Sequence, residues 1–270
     1  GAVVGAVHAS GNIDTLEDVV LEMDWKKIVY FFDVVLPKSG LIDGNKVADF
    51  IRSCVEESNI EDLPLPFSAV STDLATGNEV VIQEGDIIEA VRASISVPGI
   101  FTPVRKDNMS LVDGGLVNPV PVSVVREMGA DFVIAVDLNH DIIAKKGFTQ
   151  ISIPDSSIRH SEKEGGQNSV ETESTILEAL NRRIRTVAVP ALTQVRQWLA
   201  RDPLPNIFEV LMTSINIMET QITTSRLKTD PPDLLIRPNL GDLRFLEFNR
   251  AREAIVEGYA EARARLGQGG

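Results

Sequence analysis

The chain of 270 residues has one cysteine and no apolar run as long as a membrane-spanning helix. Since Cys54 stands alone, an internal disulfide framework and a cysteine-based zinc site are excluded. Cys54 falls on an apolar helical stripe, which predicts a core position. The strongest apolar run, residues 28–36, is interrupted by Asp33 and is too short to cross a bilayer. We therefore expect a protein that is cytoplasmic or peripheral to a membrane.

Positive charge is also scarce. The chain has 26 Lys and Arg residues against 39 Asp and Glu residues, which gives a formal net charge of −13 at pH 7. Nucleic-acid binding needs clustered Lys and Arg side chains, and an anionic bilayer attracts such clusters as well. The composition therefore predicts no nucleic-acid partner and no strong electrostatic attraction to an anionic membrane.

Common catalytic and nucleotide-binding patterns are absent from the sequence. Its three histidines are His8, His140 and His160, and none has a sequence setting that suggests a catalytic base. No Gly-x-Ser-x-Gly occurs, so no serine of the chain marks a nucleophile elbow. No Gly-x-Gly-x-x-Gly occurs either, which argues against a nucleotide site. We expect no cofactor and no metal ion.

Alternating helix and strand signals run through most of the chain. Hydrophobic residues make up 43% of it, which suffices for one large domain with a sizeable core. Asp14, Asp43 and Asp86 are each predicted to cap the start of a helix. Residues 132–136 form a continuous apolar run, which is typical of a strand buried on both faces. The pattern predicts an α/β fold with a largely parallel sheet.

Two segments in the second half of the chain differ from this pattern. Residues 148–175 are largely polar around Gly165-Gly166, which predicts a mobile insert. Residues 176–227 have helical spacing, with Leu211, Ile215 and Met218 among the apolar positions. We interpret this helical region either as a solvated surface or as a lid that contacts lipid headgroups.

The most informative short motif is Asp113-Gly114-Gly115, which follows a predicted apolar strand at residues 109–112. Asp-Gly is a common turn dipeptide, so a solvated turn is the simplest interpretation of the motif alone. Its context favours a functional site, because ligands of α/β proteins gather at the carboxyl ends of strands. Gly114 and Gly115 would leave room for a substrate or a nucleophile beside the Asp113 carboxylate.

Other polar residues are weaker candidates for catalysis. Ser94 and Ser96 end a predicted helix without elbow glycines, so capping or packing explains them better than nucleophilic attack. Asp73 ends a strand near a turn and is interpreted as structural. Asp137 and Asp141 flank a histidine, but one histidine at loose spacing is a poor metal signal.

Several blocks carry a family resemblance: STDL at 71–74 with TG at 76–77, AVRASISVPGIF at 90–101, LVDGGL at 111–116, GAD at 129–131 with VIAV at 133–136, and IRPNLGD at 236–242. Together they resemble the patatin-like phospholipases, in the bacterial branch related to neuropathy target esterase. The resemblance covers most of the chain outside residues 148–225. It implies a three-layer α/β/α fold with a largely parallel central sheet, and a serine–aspartate dyad in which Asp113 is the base.

The resemblance also implies where the serine stands. In this family it lies on a Gly-x-Ser-x-Gly elbow, and an earlier glycine-rich loop forms the oxyanion hole. The start GAVVGA is similar to the residues that follow such a serine, which makes Gly1 the last glycine of the elbow. On the rival alignment, Gly1 is the first glycine and Val3 replaces the serine. We therefore expect residues 1–270 to be one hydrolase domain that lacks its N-terminal strand, oxyanion loop and nucleophile.

The implied function is that of a serine-dependent lipid acyl hydrolase, similar to a phospholipase A, a lysophospholipase or a carboxylesterase. A serine hydroxyl needs a base, and a carboxylate can serve if its surroundings keep it basic. The implied partner is a phospholipid, a lysophospholipid or another acyl ester, with peripheral membrane contact as a further expectation. The alternative is a catalytically inactive patatin-like protein with a binding or scaffold role.

Overall fold

The computed structural model describes residues 1–23, 42–141, 207–241, 243 and 247–267. The chain divides into two units, one made of Gly1–Gly147 with Phe208–Gly270 and the other of Phe148–Ile207. The predicted insert at 148–175, His160, the apolar run at 28–36 and the helical region before residue 207 lie outside the described residues. Apart from Ile207, the described residues belong to the first unit.

The described residues form helices and short strands in alternation. The helices are α1 Ala2–Ala9, α2 Ile13–Leu21, α3 Asn45–Cys54, α4 Ile87–Ser94, α5 Val122–Glu127, α6 Ile207–Thr229 and α7 Ala251–Leu266. The strands are β1 Ala69–Asp73, β2 Glu79–Ile82, β3 Val104–Lys106, β4 Met109–Asp113, β5 Ile134–Val136 and β6 Leu234–Ile236. Within the described residues, no helix combines the length and the apolar character needed to cross a membrane.

Strands β1 to β4 form one sheet in the order β2-β1-β4-β3, and every neighbouring pair is antiparallel. Strands β5 and β6 form a second, parallel pair, with Ala135 opposite Leu235. The prediction of a largely parallel sheet is therefore wrong for the described strands. A tight turn at Thr76-Gly77-Asn78 joins β1 to β2, and a parallel pair would need a much longer crossover.

Four helices, α1 to α4, share one hydrophobic core with the four-stranded sheet. Val7 of α1, Ile51 of α3, Val91 of α4 and Leu111 of β4 are fully buried in this core. Apolar residues at helical spacing bring each helix onto the sheet. Cys54 lies in the same core, 3% exposed, which confirms its prediction as a core residue.

Strand β5 is buried on one face only. Val133 and Ala135 are buried, whereas Phe132, Ile134 and Val136 are 63%, 49% and 49% exposed. The prediction that residues 132–136 are buried on both faces is therefore wrong. The apolar run predicted the strand correctly, but it could not distinguish a strand covered on both faces from one with an apolar exposed face.

Helix α4 begins as the sequence predicts, with Asp86 as its cap. The Asp86 carboxylate accepts the backbone N–H of Glu89 at 2.7 Å. Asp86→Ala removes this acceptor, so we expect the free energy of unfolding to fall by about 1 kcal/mol. Asp86→Asn keeps a side-chain acceptor and is the matched control in chemical denaturation. Equal stability of the alanine variant and the wild type would contradict the capping role.

The other two predicted caps are wrong. Helix α2 follows Asn12, which places Asp14 inside the first turn, and the side chain of Asn12 makes no capping hydrogen bond. Helix α3 follows Gly44, whose φ of 83° lies in the left-handed region. Glycine adopts this conformation without steric cost, so the chain turns into the helix one residue after Asp43.

Helix α6 packs on the loop that follows α4. Ile215 is buried in a cluster with Val97, and a Cβ added at Gly99 would lie 2.5 Å from the side chain of Leu211. The prediction of a helix around residues 211–222 is confirmed. Its apolar positions do not form one buried face, because Leu211 and Met218 are 37% and 48% exposed.

Candidate active site

Asp113 stands at the end of an apolar strand, as the sequence predicts. It is the last residue of β4 and directly precedes a short 3-10 helix, Gly114–Leu116. Its backbone N–H donates to the carbonyl of Ser96 at 3.0 Å, and the hydroxyl of Thr72 donates to its backbone carbonyl at 2.8 Å. Ser96 follows α4 and Thr72 belongs to β1, so two separate elements hold the backbone of Asp113.

The Asp113 side chain is partly buried and turns back onto its own loop. Its Oδ1 accepts the backbone N–H of Gly115 at 2.6 Å. Burial raises the pKa of Asp113 above its usual range, while the hydrogen bond from the Gly115 N–H acts in the opposite direction. The carboxylate is therefore more basic than that of an exposed aspartate, which suits a general base.

Gly1 begins the helix whose N-terminal end faces this carboxylate. It directly precedes α1, and its carbonyl accepts the backbone N–H of Gly5 at 2.8 Å. The nitrogen of Gly1 is close enough to the Asp113 carboxylate for an electrostatic interaction between them. The fold thus brings together two predicted site residues that are far apart in sequence.

The two glycines after Asp113 have different surroundings. A Cβ added at Gly114 would overlap the backbone carbonyl of Val70 in β1, so Gly114 allows close packing rather than an open space. A Cβ added at Gly115 would lie 3.0 Å from Oδ1 of Asp113 and 2.7 Å from Oε1 of Glu219. Of the two, Gly115 is the residue that borders the carboxylate.

Sequence reasoning missed Glu219, a second carboxyl group at this site. It is partly buried on α6, and its Oε2 accepts a hydrogen bond from Nδ2 of Asn139 at 2.9 Å. Burial and the charge of Asp113 raise the pKa of Glu219 to about 7, and the bond from Asn139 acts in the opposite direction. A single glutamate in a long helix has no local motif, so only the folded chain identifies it.

Glu219 makes the stability of the fold depend on pH. Its pKa rises from 4.5 to about 7 on folding, so the folded protein binds this proton more tightly than the unfolded one. This stabilisation is fully present below about pH 4.5 and is lost as the pH rises through about 7. We expect Glu219→Gln to exceed the wild type in stability at about pH 8, by on the order of 2 kcal/mol, and to match it at about pH 4.

Urea denaturation of the wild type and of Glu219→Gln, at about pH 4 and about pH 8, measures the difference in unfolding free energy between them. Glu84→Gln, at an exposed position outside the site, is the matched control and should show no such pH-dependent difference. A stability difference between Glu219→Gln and the wild type that is the same at both pH values would contradict the shifted pKa.

Two of the weaker candidates are explained by local structure, as predicted. The buried hydroxyl of Ser96 donates to the carbonyl of Arg92 at 2.7 Å at the end of α4. Asp73 accepts the N–H of Ala75 at 3.2 Å and the hydroxyl of Thr76 at 2.7 Å, both within its own turn. These contacts assign both residues to the framework around the site.

The two described histidines, His8 and His140, and the aspartates Asp137 and Asp141 do not join the site at Asp113. His8 is exposed on α1, and Nδ1 of His140 is 3.9 Å from Oδ1 of Asp141. Asp137 is buried and pairs with Arg237 at 3.1 Å. Within the described ranges, no group of three or more His, Cys, Asp or Glu side chains is arranged to hold a metal ion.

Comparison with known proteins identifies the family. The model of the patatin-like phospholipase family matches residues 1–126. An NTE family protein of Mycobacterium bovis is 31% identical over 293 aligned positions, which cover 98% of this chain and 81% of the relative. The chain belongs to the NTE family of patatin-like phospholipases. The segment matched by the family model contains Gly1 and the Asp113-Gly114-Gly115 motif, whereas Glu219 lies outside it.

Other relatives of this NTE family chain are larger proteins. A second NTE family protein, from Mycobacterium tuberculosis, is 29% identical over 234 residues, which are 87% of this chain and 34% of the relative. The patatin-like phospholipase domain-containing protein 7 of Mus musculus is 36% identical over 108 residues, which are 39% of this chain and 8% of the relative. The chain therefore spans a minor part of each of these two proteins.

Proposed function

We propose that this NTE family protein hydrolyses acyl ester bonds of lipids, with a serine as nucleophile and Asp113 as general base. The observation that carries the proposal is the placement of Asp113. Its carboxylate is partly buried at the end of β4, is more basic than usual, and lies near the N-terminal end of α1. In an elbow of the form Gly-x-Ser-x-Gly, the helix that follows the serine begins at this point.

The proposed nucleophile is a serine two positions before Gly1, at the centre of the elbow. The proposal also includes a preceding strand and a glycine-rich oxyanion loop, with the three-layer α/β/α arrangement of the complete domain. The first turn of α1 then points its free backbone N–H groups towards the reaction centre, where a helix N-terminus stabilises negative charge.

The proposed reaction has two halves. Asp113 takes the proton of the serine hydroxyl while Oγ bonds to the ester carbonyl carbon, and backbone N–H groups stabilise the resulting oxyanion. The tetrahedral intermediate expels the alcohol, which receives the proton from Asp113, and an acyl-serine remains. Asp113 then takes a proton from water as the hydroxide adds to the acyl carbon, which forms a second tetrahedral intermediate. Its bond to the serine Oγ breaks, Asp113 returns the proton to Oγ, and the fatty acid leaves.

The proposed substrates are phospholipids, lysophospholipids or other acyl esters of lipids, which the protein would meet by peripheral contact with a membrane. No cofactor takes part in these steps. An assay that compares a fluorogenic ester, a lysophospholipid and a diacyl phospholipid determines which of these substrate classes the protein hydrolyses.

The experiment measures ester hydrolysis by the complete protein, including the segment that carries the proposed serine. Asp113→Asn is expected to abolish nearly all turnover, whereas Asp107→Asn, at an exposed turn, is the matched control. Undiminished hydrolysis by Asp113→Asn would overturn the dyad. If the complete protein has another residue at the elbow and binds lipid without hydrolysing it, the binding or scaffold role is correct instead.

A further inference from the structure

We propose that Glu219 is a positioning residue for the base of this active site, and that it shares one proton with Asp113 so that the pair carries a single negative charge during catalysis. This inference rests on the proposed function, because it concerns the same aspartate. It goes beyond that function, since a serine–aspartate dyad does not require a second carboxyl group.

The two carboxyl groups border the same small space. A single Cβ position at Gly115 lies 2.7 Å from Oε1 of Glu219 and 3.0 Å from Oδ1 of Asp113. The two oxygens are therefore within about 6 Å of each other, a range over which one carboxylate shifts the titration of another. Because residue 115 is glycine, it places no side chain between them.

Glu219 is held in this place by contacts on both sides. Nδ2 of Asn139 donates to Oε2 of Glu219 at 2.9 Å. The hydroxyl of Thr220 donates to the carbonyl of Asn216 at 2.8 Å and lies 3.4 Å from the carbonyl of Asn139. One turn earlier on α6, Ile215 is buried against the loop after α4. The glutamate therefore approaches Asp113 as part of a packed helix rather than as a free surface side chain.

The charges around the pair favour one shared proton. Among the described residues, Asp113 is the charged group that acts on Glu219, and Asn139 is neutral. The backbone N–H of Gly115 donates to Oδ1 of Asp113 at 2.6 Å and favours its ionised form. Two carboxylates in a partly buried site repel each other, so the pair releases its second proton less readily than its first.

The number of protons on the pair decides whether the base can work. With two protons, neither carboxyl group can accept the serine proton. With one proton on the pair, Asp113 is ionised and the carboxyl group of Glu219 is protonated and neutral. With none, the site carries two negative charges, and the oxyanion of the intermediate would add a third nearby, which raises the energy of the transition state. The singly protonated pair is therefore the active form.

The test compares the pH dependence of kcat/KM for the complete wild-type protein and its Glu219→Gln variant, corrected for spontaneous hydrolysis. Glutamine is neutral at every pH and can still accept the hydrogen bond from Asn139. In the wild type, kcat/KM should fall above about pH 7, by about tenfold per pH unit once the pair has lost both protons. In Glu219→Gln, kcat/KM should not fall in this way. Glu84→Gln, at an exposed position, should retain the wild-type profile.

A second measurement uses no turnover and separates the two proposals. Carbon-13 NMR of labelled glutamate side chains follows the titration of Glu219 in the wild type and in Asp113→Asn. Removing the charge at position 113 should lower the titration midpoint of Glu219 by about one pH unit or more. The same NMR spectra show whether each variant is folded.

The outcomes are distinct. Suppose that Asp113→Asn is inactive, that Glu219→Gln still loses activity at alkaline pH, and that the titration midpoint of Glu219 is the same in Asp113→Asn as in the wild type. The inference about Glu219 is then overturned, and the serine–aspartate dyad stands. If Asp113→Asn remains fully active, the proposed function fails first, whatever the NMR shows. Loss of the alkaline decline together with a lowered midpoint supports the shared proton, which a purely structural role of Glu219 would not produce.

Discussion

Replacement of Asp113 by asparagine is expected to lower kcat/KM for ester hydrolysis by about 1,000-fold, within the range that a general base contributes. Asparagine has nearly the same shape and keeps an oxygen that can accept the Gly115 N–H, but it cannot take a proton from serine. The backbone of residue 113 is held by Ser96 and Thr72, whose bonds do not depend on the side chain. The loss should therefore be one of chemistry and not of folding.

The control experiments for Asp113→Asn follow from the same contacts. Thermal melting of the variant should match or exceed that of the wild type, because a neutral amide suits a partly buried position better than a carboxylate. KM should change much less than kcat, since the base acts on the serine and not on the bound lipid. An active-site titration that shows full acylation of the variant at the wild-type rate would contradict the assignment of Asp113.

Gly114→Ala is expected to lower the free energy of unfolding by about 3 kcal/mol, because the new methyl group would overlap the carbonyl of Val70. The obstacle is backbone rather than a flexible side chain, so relief requires β1 and the loop after β4 to move apart. Differential scanning calorimetry or urea denaturation measures the loss. Wild-type stability of this variant would contradict the close approach of the loop to β1.

Gly115→Ala is the matched comparison for this effect. Its methyl group would meet the ends of two side chains, Asp113 and Glu219, which can shift at smaller cost to the fold. We expect the unfolding free energy to fall less than in Gly114→Ala, while kcat falls because the two carboxyl groups are displaced. The Gly114 variant thus tests the packing of the loop against β1, and the Gly115 variant tests the placement of the two carboxyl groups.

Much of the framework around Asp113 is predictable from the sequence because its signals are local. An apolar run of strand length ending in Asp-Gly-Gly predicts a strand followed by a turn, and β4 ends at Asp113. Asp86 before an apolar helical stripe predicts a capped helix, and the cap is present. In each case, the residues that decide the structure lie within a few positions of one another.

The features that sequence reasoning missed depend on contacts between distant segments. The direction of β1 relative to β4 is set by pairing across the sheet, where Ser71 lies opposite Asp113. Glu219 reaches the site only because α6 packs onto the loop after α4, and these two segments are far apart along the chain. Neither arrangement leaves a periodic pattern or a short motif, so the largely parallel sheet was predicted wrongly and the second carboxyl group was not predicted.

The burial of Cys54 has a practical consequence for spectroscopy. Because this thiol is 3% exposed and no other cysteine occurs in the chain, a reagent that modifies thiols should react with the folded protein slowly. The rate of that reaction would report the opening of the core that helices α1 to α4 share with the four-stranded sheet. A cysteine placed at the exposed position 84 would carry a fluorophore without removal of the native thiol. Such a label would allow binding to lipid vesicles to be followed by fluorescence in the same samples used for the kinetic assays.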